Sequence, residues 1–154
     1  MNILCLGCGN SPVRAEGAVN HDQWLDSKRP WVTVAHDLNE VPWPWGDNTF
    51  DQIVASAVLE HLQINLLESM AECWRILRPE GTIWAKVPYA MSERSYDDPT
   101  HYWRFGMRAF EVFDPDTKAG KKYEFYTPFR WRILEPPRLN DAKTSIIAKM
   151  QVRK

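Results

Sequence analysis

Asn2-Ile3-Leu4-Cys5-Leu6-Gly7-Cys8-Gly9-Asn10 decides the reading of the chain. An unbroken apolar run reads as a buried strand, and the two glycines after it mark a tight turn. Glycine there lets the backbone bend sharply and approach a ligand with no β-carbon in the way. N–H groups freed by such a turn can hold an anion. Two glycines in a turn can also serve only the turn, so the assignment depends on what lies beside it.

Two further short apolar segments follow, and each stops at an acid. Residues 17–22 end at Asp22, and the β-branched residues 31–35 run into His36-Asp37. A carboxylate at Asp22 could accept from both hydroxyls of a ribose. Asp37 could accept from an exocyclic amine while the next backbone N–H reads a ring nitrogen. A glycine turn and two acids on three successive strand ends outline a nucleoside-shaped ligand, because ligands of open parallel sheets gather beyond the strand carboxyl ends.

Pro42, Pro44 and Gly46 break the chain before a fourth apolar segment, residues 50–57. Residues 59–78 place apolar side chains near helical period at Leu62, Leu66, Leu67, Met70, Trp74 and Leu77. Pro79-Glu80-Gly81 stops this helix, and a fifth strand spans residues 82–87. Strand, helix and strand make a βαβ unit of a parallel sheet. Residues 123–134 and 145–152 read as two more strands, joined through Pro136-Pro137 and Asn140-Asp141 into an antiparallel hairpin at one edge. Between the fifth strand and this hairpin, residues 88–122 lack a clear period apart from a short helix at 107–113. So long an irregular stretch in one domain is expected to be functional, here as a substrate lid.

The 154 residues suit a single domain, 1–154. A formal net charge of -1 supplies no overall field for nucleic acid or anionic membrane. The C-terminal third is basic, with Arg132, Arg138, Lys149 and others, but strand residues alternate faces, so these charges need not form one patch. Nucleic acid is therefore disfavoured as a partner. The start lacks a basic lead and cleavage site, and no apolar stretch is long enough to span a bilayer, so a cytoplasmic setting is expected. Three cysteines, an odd number, fit a reducing compartment. Cys5 and Cys8 make a lone C-x-x-C with no second pair, and no metal site is expected. Among the eight tryptophans, Trp24 and Trp103 are expected nearest a site.

The stretch from Ile3 to Asn10, Asp22, His36-Asp37-Leu38, the Pro42 to Asp51 segment, Val58-Leu59-Glu60-His61-Leu62 and the run from Glu72 to Gly81 together resemble class I S-adenosylmethionine-dependent methyltransferases, nearest to type 11. The likeness runs from about Ile3 to Pro88 and continues loosely to Phe110. It implies an α/β, Rossmann-like three-layer open sheet, mostly parallel with an antiparallel C-terminal strand. It also implies S-adenosylmethionine as cofactor. The turn Gly7-Cys8-Gly9-Asn10 would pass the methionine part, Asp22 would bind the ribose, Asp37 the adenine amine, and Leu38 the adenine ring. Ser56 and Ala57 would lie beside the sulfonium, and His61 would face the substrate.

The chain departs from this pattern at its start. Only about a dozen residues separate Gly9 from Asp22, too few for a full helix and its return. The first helix is expected to be shortened or missing, with one turn capped by Asn10 or Ser11 able to survive. His61 and His101 are the candidate general bases, since a free imidazole titrates near neutrality. Tyr89, Asp98 and Tyr102 are the candidate substrate-lining residues. The expected function is methyl transfer to a small molecule, at a site that is either unusually open or completed by another subunit, as in a homo-oligomer. A non-catalytic methyltransferase-fold binding subunit is the alternative. A dinucleotide-dependent oxidoreductase is disfavoured, since Pro12 stands where a third glycine should.

Overall fold

Seven strands form one sheet in the computed structural model, which describes all of residues 1–154. They are β1 Ile3–Leu6, β2 Val19–Asp22, β3 Val34–Ala35, β4 Phe50–Ser56, β5 Leu77–Pro88, β6 Arg130–Leu139 and β7 Ser145–Arg153, in the order β3-β2-β1-β4-β5-β7-β6. The first five strands are parallel, and β7 is antiparallel to both β5 and β6. The expected sheet, mostly parallel and closed by an antiparallel hairpin, is what the chain builds. β7 inserts beside β5, leaving β6 at the edge.

Register explains where the core lies. Leu4, Ile53, Ile83 and Met150 stand side by side across four strands, as do Leu6, Ala55, Ala85 and Ala148. All eight are buried, so this face carries the main core. Helix α1, Leu66–Ile76, adds Met70, Cys73 and Ile76 to it, and Phe105, Phe110, Phe113 and Trp131 complete it. The irregular stretch is thus anchored by three buried phenylalanines. On the opposite face Cys5, Cys8 and Val32 form a small second cluster with Val13, Trp31 and Val54. No helix occurs between β1 and β2 or between β2 and β3, so a coil covers that side, and the single turn that Asn10 or Ser11 might have capped does not form. The rest of this face carries Lys86, Arg132, Arg138 and Lys149 near Trp84, with Glu135 paired to Lys149 at 3.6 Å.

Five elements differ from expectation, among them β5, which starts at Leu77 rather than at 82. α1 begins at Leu66 rather than 59, because Asn65 and Glu68 make a reciprocal capping box. Residues Leu59–His61 instead take a single 3-10 turn. α1 ends at Ile76 because Leu77 already pairs with Phe50 in β5, and Pro79, lacking an N–H, could not continue a helix. β3 keeps only two residues of the expected five. β6 runs from Arg130 to Leu139 and contains Pro136 and Pro137 between register shifts. Prolines are tolerated there because an edge strand leaves N–H positions unpaired. The helix expected at 107–113 is only the 3-10 turn Glu111–Phe113, while a short helix α2 occupies Lys118–Lys122. No helix is long and apolar enough to cross a membrane.

Asn65→Ala removes the acceptor for the Glu68 N–H and should cost about 1 kcal/mol. In a domain of this size that lowers the melting temperature by about 3 °C. Thermal unfolding followed by circular dichroism checks it, and Asn65→Asp should melt close to wild type.

Candidate active site

The carboxyl ends of β1, β2, β3 and β4 enclose a cleft of about 210 Å³. Gly7 is left-handed, with φ 55°, and a β-carbon there would stand 2.6 Å from Cγ2 of Val58. The turn is tied to its neighbours through His21, whose ring is buried. Its Nδ1 accepts from the Gly7 N–H at 3.3 Å, and its Nε2 donates to the His36 carbonyl at 2.9 Å. Burial, the larger influence, lowers the His21 pKa, so the ring is neutral and carries its proton on Nε2. The Cys8 N–H bonds the His21 carbonyl at 2.8 Å, and the Gly9 N–H bonds Asp22 Oδ2 at 2.9 Å. The N–H groups of Gly7, Cys8 and Gly9 are therefore spent inside the protein and do not form the anion nest that the glycine spacing suggested.

Asp22 sits at the cleft with its carboxylate largely occupied. Oδ2 also receives Arg29 Nη1 at 3.0 Å, and Oδ1 accepts the Gln23 N–H at 2.7 Å. A carboxylate offers about four acceptor positions, so one remains, on Oδ1. Asp37 Oδ1 accepts both the backbone N–H and side-chain amide of Asn39 at 2.9 Å. Its Oδ2 has no partner within the chain, nor does the N–H of Leu38. Leu38 is buried and held by the Trp43 indole N–H on its carbonyl at 3.0 Å. Ala57 is left-handed, with φ 54°, a rare state for a residue with a β-carbon.

The structure thus brings Gly7, Asp22, Asp37, Leu38, Ala57 and His61 to one cleft. Cys8 is buried beneath it, and burial pushes its thiol up to about 11. Gly9 and Asn10 lie off the cleft, the Gly9 carbonyl taking the Trp31 indole N–H at 2.9 Å. Ser56 faces a small adjoining hollow with Glu60 and Lys86.

A second cavity of about 550 Å³ shares Ala57 and His61 with the first and is completed by Glu60, Arg94, Asp97, Asp98, Pro99 and His101. His61 Nδ1 meets Thr100 Oγ1 at 2.9 Å, and that hydroxyl donates to Asp98 Oδ1 at 2.7 Å. The rings of His61 and His101 meet edge-on at 4.7 Å. Burial and then the neighbouring His101 lower the His61 pKa. Glu60 is fully buried, with neither carboxylate oxygen hydrogen-bonded, and burial pushes it up to about 7.

Of the expected substrate-lining residues, Asp98 reaches this cavity. Tyr102 is exposed, its hydroxyl near the Gln63 amide at 3.2 Å. Tyr89 bridges to Phe105 outside both cavities. Trp103 turns its indole N–H onto the Leu62 carbonyl at 2.7 Å, and Trp24 is exposed outside both cavities. His21 and Glu60 are the residues that sequence reasoning missed. Glu60 lay inside a motif already singled out, but a helical reading of the segment gave no sign that a 3-10 turn buries its carboxylate.

The family described as "Methyltransferase domain" matches residues 4–85. Among solved structures, a SAM dependent methyltransferase from Archaeoglobus fulgidus is similar at 17% identity and TM-score 0.61, covering 99% of this chain and 86% of that one. Another SAM dependent methyltransferase, from Aquifex aeolicus, has 16% identity and TM-score 0.60, covering 99% of this chain and 82% of the other. The [4+2]-cyclase SpnF is similar at 11% identity and TM-score 0.65, covering 97% and 73%. At these identities the likeness carries the fold alone. No curated protein sequence matches the chain.

Proposed function

This chain belongs to the methyltransferase domain family, and we propose that it transfers a methyl group from S-adenosylmethionine to a small molecule held in the second cavity. The observation that carries this reading is that the two cavities meet at Ala57 and His61, so a donor in one can face an acceptor in the other.

The first cleft suits the nucleoside part of the cofactor. Its 210 Å³ is small for the whole molecule, which would continue past Ala57. The free Asp37 Oδ2 and the unpaired Leu38 N–H offer an acceptor beside a donor, the pattern of an adenine amine and its ring nitrogen. Asp22 would take a ribose hydroxyl on Oδ1. The glycine turn would contribute space rather than hydrogen bonds, since the N–H groups of Gly7, Cys8 and Gly9 are already used. Bound in this way, the cofactor supplies an electrophilic methyl on a sulfonium.

The chain's own part is alignment and exclusion of water. Ala57 would set the end of the cleft, and the 88–122 segment would wall the acceptor side through Asp98 and His101. Where the acceptor is a hydroxyl, its proton must leave. With Nδ1 held by Thr100, His61 would receive it on Nε2, and its lowered pKa keeps that nitrogen unprotonated near neutral pH. Three free, buried thiols favour a reducing, cytoplasmic setting.

Isothermal titration should show saturable one-to-one binding of S-adenosylmethionine, and labelled cofactor incubated with small metabolites should yield a methylated product together with S-adenosylhomocysteine. Absence of saturable binding would overturn the reading. Binding without turnover on any acceptor would favour the non-catalytic subunit instead.

A further inference from the structure

We propose that Glu60, His61 and His101 form a binding site for one divalent transition-metal cation. The site lies in the second cavity and uses the His61 Nε2 proposed above as proton acceptor, so a bound cation would make His61 a ligand in place of a base; the inference reverses the expectation, drawn from the lone C-x-x-C, that the chain holds no metal.

The first observation is the Glu60 carboxylate. It is fully buried, and neither oxygen has a hydrogen-bond partner. Leaving such acceptors unmet is unfavourable, and more so when the group is charged. A structure that retains this arrangement is expected to satisfy it with something outside the chain.

Hydrogen bonding on the outer side of each ring supplies the second. Thr100 donates its hydroxyl hydrogen to Asp98 Oδ1 at 2.7 Å, so at 2.9 Å it can only accept from His61 Nδ1–H. His101 Nδ1 lies 3.3 Å from the Ser95 carbonyl, which likewise can only accept. Each neutral ring is left with a lone pair on Nε2. Orientation of a ligating imidazole by a partner on its other nitrogen is the usual support of a metal site. One ligand atom from each of the three residues lies within 4.8 Å of the others. Donor atoms about 2.1 Å from a common ion stand about 3–4 Å apart, so an inward movement of about 1 Å would complete the site.

With Glu60 ionised, three acceptors therefore converge with no donor among them. His101 Nε2 and Glu60 Oε1 are 4.0 Å apart, too far to share a proton in a hydrogen bond. Arg94 is the one permanent cation lining the cavity, and it makes no ion pair with Glu60. Against it stand the carboxyl groups of Glu60, Asp97 and Asp98, so acidic groups outnumber the cation in the lining. Two imidazoles and a carboxylate favour zinc, manganese, cobalt or ferrous iron over magnesium or calcium. Remaining coordination positions would open to the second cavity, where water or an oxygen of a bound molecule could enter.

Titration of the full chain with zinc chloride at neutral pH should show one saturable site. Glu60→Gln and His101→Ala should each weaken it about tenfold to 100-fold, with folding checked by circular dichroism. Manganese added to the unmodified protein should broaden the ring signals of His61 and His101 before those of His21 and His36, so the result survives if a variant fails to fold. No saturable zinc binding in the millimolar range would overturn the site. Undiminished affinity in both folded variants would do the same, as would broadening that begins at His21 or His36. None of these measurements uses S-adenosylmethionine, so loss of the metal site would leave the methyl-transfer reading standing.

Discussion

Gly7→Ala is expected to lower the unfolding free energy by about 3 kcal/mol. Two physical costs add. The left-handed backbone, φ 55°, charges an L-residue about 1–2 kcal/mol. The new methyl would also lie 2.6 Å from Val58 Cγ2 and 2.9 Å from Val58 Cβ, well inside contact distance. Overpacking of a buried contact costs about 1–3 kcal/mol. Together they should lower the melting temperature by roughly 9 °C in a domain of this length. Gly9 separates the two contributions, because it shares the left-handed state, φ 48°, yet a β-carbon there meets nothing within 4 Å. Gly9→Ala should therefore lose only the backbone part, about 1–2 kcal/mol. Adding Val58→Ala to Gly7→Ala should recover part of the loss by relieving the clash. Equal melting temperatures for the two single glycine variants would show that Val58 yields freely and that the close approach does not matter.

Asp22→Ala should weaken binding of S-adenosylhomocysteine at least 100-fold, about 2.8 kcal/mol, in isothermal titration. A hydrogen bond to a charged acceptor contributes about 1.5–3 kcal/mol, and the same carboxylate also holds the Gly9 N–H, so its loss loosens the turn. Arg29 gives the opposite sign. Its guanidinium takes an acceptor position on Oδ2 at 3.0 Å that a second ribose hydroxyl would need. Removing the arginine frees that position, and Arg29→Ala is expected to lower Kd. If Asp22→Ala bound the ligand as tightly as wild type, the ribose contact would have to be assigned elsewhere. If Arg29→Ala weakened binding, the arginine would be orienting the carboxylate rather than competing for it.

The close relation between Asp22 and Arg29 marks how far sequence reasoning reaches here. A strand ending in a glycine turn, acids at the ends of the next two strands, and an amphipathic helix followed by another strand are local signals. Each is written within a few residues, because the backbone periods of strand and helix are short. The antiparallel hairpin at the end of the chain was legible for the same reason. Boundaries were less so. The helix read at 59–78 shrank to Leu66–Ile76, since a capping pair and an early strand pairing outweighed apolar spacing.

Within the candidate site, residue identity was legible and availability was not. The positions of Gly7, Asp22, Asp37, Leu38, Ala57 and His61 around one cleft agree with the order of strand ends along the sequence. That the N–H groups of Gly7, Cys8 and Gly9 are consumed by His21 and Asp22, or that Tyr102 faces solvent while Asp98 reaches the cavity, depends on where distant segments pass. The sequence by itself determined a parallel sheet with a turn and two acids at one rim, because those features are set by neighbours in the chain. Only the tertiary structure decided which polar groups there are already satisfied. A hydrogen bond is claimed by whichever partner folding brings within about 3 Å, and for Glu60 folding brings none.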